Sequence, residues 1–104
     1  MDIWIFTEHG DDGSYSTAHL TRKGCLQSAV DTLIDVLNIP TDSQKEFDEW
    51  KSDDPYSEKE NIPSPIGWRE LDTEKLKDLY GILEEQTWEN DYFDCGIQQV
   101  TLKP

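Results

Sequence analysis

Leu26, Ala29, Val30, Leu33, Ile34 and Leu37 recur at the i, i+3, i+4 spacing of one helix face without a miss. Such a stripe specifies a helix with a single apolar side, and that side must be covered by another layer. Thr21 is placed to cap its start, and Asn38-Ile39-Pro40 to end it. A chain of 104 residues has room for one core of this kind, so residues 1–104 read as a single domain.

The covering layer is legible at both ends of the chain. Residues 2–8 alternate Ile3 and Ile5 with Trp4 and Phe6, and a Ser-, Thr- and Tyr-rich stretch runs from Ser14 to Leu20. Asp12-Gly13 between them suits a two-residue type I′ turn. That turn predicts a hairpin in which Ile5 pairs with Leu20 and Phe6 with His19. One face then carries Ile3, Ile5, Ala18 and Leu20, and this aliphatic face is expected to meet the helices. The other carries Trp4, Phe6, Tyr15 and His19, with the Trp68 segment or the 52–65 loop as the expected cover.

Thr41-Asp42-Ser43-Gln44 resembles a capping box opening a short second helix, with Phe47 and Trp50 on one side. Residues 52–65 hold three prolines and no periodicity, and read as a long loop. Asp72 can cap a third helix striped by Leu76, Leu79, Tyr80 and Leu83. Near the end, Phe93, Cys95 and Ile97 alternate, and Val100 and Leu102 alternate out of phase with them. A β-bulge at Gln98-Gln99 is the expected reconciliation. The fold class is therefore α+β: a small antiparallel sheet, the N-terminal hairpin plus a C-terminal strand, packed on two to three helices.

Charge constrains function more than fold. The chain carries 23 acidic and 9 basic residues, for a net charge of -14. Residues 42–60 and 84–94 each hold a net -5, interleaved with Phe47, Trp50, Tyr56, Trp88, Tyr92 and Phe93. Carboxylates steer and orient a basic partner, and aromatics supply desolvated anchor area. The same excess disfavours direct contact with nucleic acid or an anionic membrane. No apolar run approaches the ~20 residues needed to cross a bilayer, and Met1-Asp2-Ile3-Trp4 lacks the basic start of a signal peptide. Cys25 and Cys95 are then expected to be reduced thiols of a cytoplasmic protein.

Positive signs of catalysis are lacking. His9, His19, Cys25 and Cys95 have none of the short zinc-type spacings, and Asp91 and Asp94 before Gly96 do not make a calcium loop. There is no phosphate-binding glycine loop and no nucleophile elbow. The expectation is a protein without enzymatic activity, metal or cofactor.

In size and charge the chain resembles the small acidic inhibitors of phages and other mobile elements, anti-CRISPR and antirestriction proteins of the DNA-mimic type. The likeness is compositional and strongest over residues 42–60 and 84–94; its acids form two clusters where a full duplex imitation would line one long helix. It implies non-enzymatic inhibition, in which the protein occupies a basic groove of a nucleic-acid-binding complex or nuclease in the host cytoplasm. The expected contact residues are Asp48, Glu49, Asp53, Asp54, Glu84, Glu85, Glu89 and Asp91, with Trp50 and Tyr92 as aromatic anchors, on a monomer or homodimer. An immunity protein that neutralises a nuclease toxin would use the same physics. An acidic accessory protein of a mobile element would instead show evenly dispersed acids.

Overall fold

The computed structural model describes residues 1–10, 13–53, 62–87 and 93–102. Three strands and three helices follow in the order β1 (Asp2–Gly10), β2 (Gly13–His19), α1 (Arg22–Leu37), α2 (Gln44–Ser52), α3 (Thr73–Thr87) and β3 (Asp94–Thr101), with a 3-10 turn at Trp68–Glu70. This is an α+β fold with an antiparallel sheet ordered β2-β1-β3, so the N-terminal strand is central and the last strand joins the hairpin.

Local chemistry accounts for the helix limits. The Thr21 hydroxyl accepts the Gly24 N–H at 3.0 Å and caps α1, a contact worth about 1 kcal/mol. Asn38 closes α1 in the left-handed conformation, with φ 58° and ψ 41°, which asparagine tolerates better than most residues. The cap of α2 is Ser43 rather than Thr41. Its hydroxyl accepts the Glu46 N–H at 3.1 Å, so the capping pair is Ser43 and Glu46. Asp72 caps α3 by accepting the Lys75 N–H at 2.9 Å.

The apolar stripes form the core as their spacing requires. Cys25, Leu26, Ala29, Val30, Leu33 and Ile34 of α1 are buried against Leu76, Leu79, Tyr80 and Leu83 of α3. The end of the predicted 52–65 segment is anchored, because Ile62 and Pro65 are buried and α2 extends to Ser52. Trp68 is buried as well.

Three expectations about the sheet are corrected. The ladder closes on Gly10↔Gly13, so Ile5 pairs with Ala18 and Phe6 with Thr17, a register two residues away from the predicted one. Gly13, at φ 125°, adopts a conformation that side chains oppose, and this lets the hairpin close there. A two-residue shift leaves each side chain on its predicted face.

It is the aromatic face, not the aliphatic one, that meets the helices. Phe6 is 2% exposed, and Trp4, Cys95 and Ile97 pack beside it. Each aromatic side chain buries a large area, and α1 lies across β1 and β2 to cover them. Arg22 completes this cover, its guanidinium 5.5 Å from the Trp4 ring centroid. Tyr15, on the same face, remains 59% exposed.

The predicted bulge is not formed. Pairing runs unbroken from Asp2↔Thr101 to His9↔Asp94. The phase change is real, but it sends Val100 to the outer face opposite Ile3, while Cys95 and Ile97 point inward.

Candidate functional site

Helix α2 is built to display acid on a fixed base. Phe47 is its one fully buried residue, and Trp50 packs half-buried beside it with ring centroids 6.0 Å apart. Glu46, Glu49 and Asp53 recur at i, i+3 and i+7 on the exposed side, and Asp48 flanks them with Gln44 donating to its Oδ1 at 2.9 Å. Three of the predicted contact acids are thus exposed together, Asp48 and Glu49 on one short helix and Asp53 at its C-cap. Trp50 is placed as a foundation of that helix more than as a free anchor.

The second predicted segment is split. Glu85 is exposed, whereas Glu84 is half-buried near the Tyr80–Cys95 contact. Asp54, Glu89, Asp91 and Tyr92 lie outside the described residues.

A further acidic group was not foreseen. The last turns of α1 and the end of β1 enclose a cleft of about 610 Å³, lined by Glu8, Asp31 and Asp35 together with Ile34, Ile39 and Thr41. Asp31 and Asp35 are one helical turn apart, and α1 has no basic residue in its last turn to offset the negative end of its dipole. Glu8 stands opposite Cys95 in the sheet, and its Oε2 is buried without a hydrogen-bond partner. Glu84 and Asp94 approach the same end of the sheet, where both act on Cys95. The sequence did carry a signal for this cleft: the i, i+4 pair Asp31/Asp35 on the polar side of a helix that ends without a cation.

The few cations leave all of these acids but Asp31 without an ion-pair partner among the described residues. Among the described residues the one ion pair is Arg69–Asp31, at 3.2 Å and well exposed, where such pairs contribute little. Instead Arg22, Lys51 and Arg69 stand over the rings of Trp4, Phe47 and Trp68 at 5.5, 5.8 and 4.7 Å. Lys51 also donates to the Ile62 carbonyl at 3.3 Å. These three bases therefore shield the edges of the core.

Cys25 and Cys95 are free thiols. Burial is the main cause that pushes Cys95 up from 9.0 to about 11, with Glu84, Asp94 and Glu8 adding to it and a Tyr80 hydrogen bond at 3.8 Å opposing it. Burial likewise raises Tyr80 and Cys25. A rise from 9.0 to about 11 lowers the Cys95 thiolate fraction at pH 7.5 by about 100-fold. Alkylation of Cys95 at pH 7.5 should be markedly slower in the native chain than in the denatured chain. Because the folded thiol holds its proton more tightly than the unfolded one, its contribution to stability is complete below pH 9 and lost as pH rises to about 11. A thermal melt at pH 10.5 should show the loss.

Among the described residues no cluster of three His, Cys, Asp or Glu side chains could hold a metal ion, and no helix is long and apolar enough to cross a membrane. No protein-family model, curated protein or solved structure matches the chain. A functional reading therefore stands on the geometry and electrostatics of the site alone.

Proposed function

We propose that this chain is a non-enzymatic acidic binding protein that inhibits a partner by occupying its basic, nucleic-acid-binding surface, as phage anti-defence proteins of the anti-CRISPR type do, in the cytoplasm of a host cell. The observation that carries this reading is the division of labour between charges. Arg22, Lys51 and Arg69 are held over aromatic rings, while Glu49, Asp53 and Glu85 stand exposed without an ion-pair partner among the described residues. Carboxylates left hydrated in this way are ready to exchange water for the guanidinium or ammonium groups of a partner.

The acidic helix and the acidic cleft suit different parts of such a partner. Helix α2 offers carboxylates along a convex edge, fit to track Lys and Arg side chains that otherwise hold phosphates. The cleft between α1 and β1 has an apolar floor at Ile34 and Ile39 beneath its carboxylates, a combination that receives an alkyl stem and its charged head.

The test is displacement. The chain is added to a nucleic-acid-binding complex of its host already carrying labelled duplex, and duplex release is followed from 50 to 500 mM salt. Release at low salt that falls steeply as salt rises is expected. Binding that is indifferent to salt, or that leaves the duplex in place, would overturn the reading.

A further inference from the structure

The face of the sheet turned away from the helices is the part of the surface that acid avoids. Register and alternation place Ile3, Ile5, Thr7 and His9 of β1 on it, with Ser14, Ser16 and Ala18 of β2 and Asp94, Gly96, Gln98 and Val100 of β3. The side-chain hydrogen bonds agree, since Thr7 meets Ser16 at 3.0 Å and His9 meets Ser14 at 2.6 Å. Among the described residues Asp94 is its single acid, at one end and paired in register with His9, in a chain where more than one residue in five is acidic.

The other end of this face is apolar. Backbone hydrogen bonds between Met1 and Leu102 continue the β1–β3 ladder by one further pair, and Leu20 follows β2 beside Ile3. Met1, Leu20 and Leu102 are 76%, 75% and 45% exposed, among the most exposed large apolar residues described. With Ile3, Ile5 and Val100 they make one continuous patch on three adjacent strands. Scattered apolar residues on a surface need no explanation, but a contiguous group does.

We infer that this outer sheet face is a self-association surface, on which a second copy of the chain packs sheet against sheet. The argument for that occupant is electrostatic. Two molecules of net charge -14 repel over most of their surfaces. They can meet only where carboxylates are lacking, and this face satisfies that condition. A basic partner would gain its attraction from the acidic helix and cleft, and nothing on this face would draw it. A two-fold arrangement makes one patch complementary to itself.

Size sets the strength. Three strands at ~4.8 Å and five residues at ~3.3 Å give a flat footprint of roughly 240 Å², well under the ~800 Å² per partner of a standard interface. The dimer is therefore weak and forms at high concentration. Its salt dependence is opposite to that of the proposed partner binding, because salt screens the repulsion between copies. The inference does not rest on the basic-partner reading, and the two can fail separately.

Sedimentation equilibrium of the full chain from 20 μM to 1 mM, in 50 and 500 mM NaCl, tests it. The average mass should rise from 12.1 kDa toward twice that with concentration, and more so at high salt. Leu20→Ser with Leu102→Ser, which changes no charge and alters exposed positions only, should weaken association at least ten-fold with an unchanged far-UV circular dichroism spectrum. Ile66→Ser, at an exposed apolar residue outside the sheet, should leave it unaltered. A chain that stays at 12.1 kDa throughout, or that dimerises equally well with both serines, would overturn the inference. Monomeric sedimentation with anionic or neutral lipid vesicles would also overturn it, by assigning the patch to a membrane surface.

Discussion

Reversing three acids of α2 and its C-cap in one chain, Asp48→Lys, Glu49→Lys and Asp53→Lys, should weaken binding to the proposed basic partner by at least 100-fold while the protein stays folded. All three side chains are exposed, and none belongs to the one ion pair among the described residues. Each reversal replaces an attraction with a repulsion against the same partner group. At about 1 kcal/mol per site, three sites give roughly 3 kcal/mol, or a little over two decades in affinity. The same change brings the net charge from -14 to about -8, which relieves self-repulsion, so stability should hold or rise slightly. Isothermal titration at 50 and 200 mM salt measures both the loss and the salt slope, which should flatten in the variant. Retention of full affinity by the folded variant would remove α2 from the interface and leave the α1–β1 cleft as the contact surface.

Removing the anchor beneath those acids should have the largest effect on stability. Phe47→Ala is expected to cost about 3–5 kcal/mol, a large share of the ~5–15 kcal/mol that holds a domain of this kind together. Phe47 is 2% exposed and is the one fully buried residue of α2. It contacts both the Trp50 ring and the Lys51 ammonium. A nine-residue helix has too little intrinsic stability to persist without such a contact. For a chain near 100 residues the cost corresponds to a Tm lower by about 15–30 °C. A melt followed by circular dichroism would show it, and limited proteolysis should cut first near α2. A loss below 1 kcal/mol would mean that residues 62–65 hold the helix by themselves.

The helices were legible in the sequence because their signal is redundant. Six apolar positions on α1 and four on α3 agree with one period, and caps at Thr21 and Asp72 mark their starts. The inward face of the sheet was not legible, because β1 is bulky on both sides and alternation distinguishes faces only when one is polar. What decides it lies elsewhere, in Cys95 and Ile97 arriving beside Phe6 from the far end of the chain and in Arg22 capping Trp4. The out-of-phase Val100 and Leu102 suggested a bulge on the premise that every apolar strand residue seeks the core. Here they mark the open face.

The candidate site was legible where acids are dense in sequence, as on α2. Counting by segment passed over the cleft because its acids are distant in the chain: Glu8 on a strand, and Asp31 and Asp35 on a helix whose other side fills the core. Charge density along a sequence finds a local surface, whereas a site assembled by tertiary packing becomes visible only with the strand register.

The placement of cations on aromatic rings has a consequence for how this protein can change over generations. Among the described residues, folding leans on Trp4, Phe47 and Trp68 and on the bases above them, and scarcely on pairing between opposite charges. Substitutions at exposed carboxylates such as Glu49 and Glu85, which cap no helix and pair with no base among the described residues, are thereby uncoupled from stability, and each can be tried without a compensating change elsewhere. Under the proposed reading, a lineage carrying this fold can redraw its anionic outline one codon at a time, keeping pace with a target that alters its own basic residues to escape.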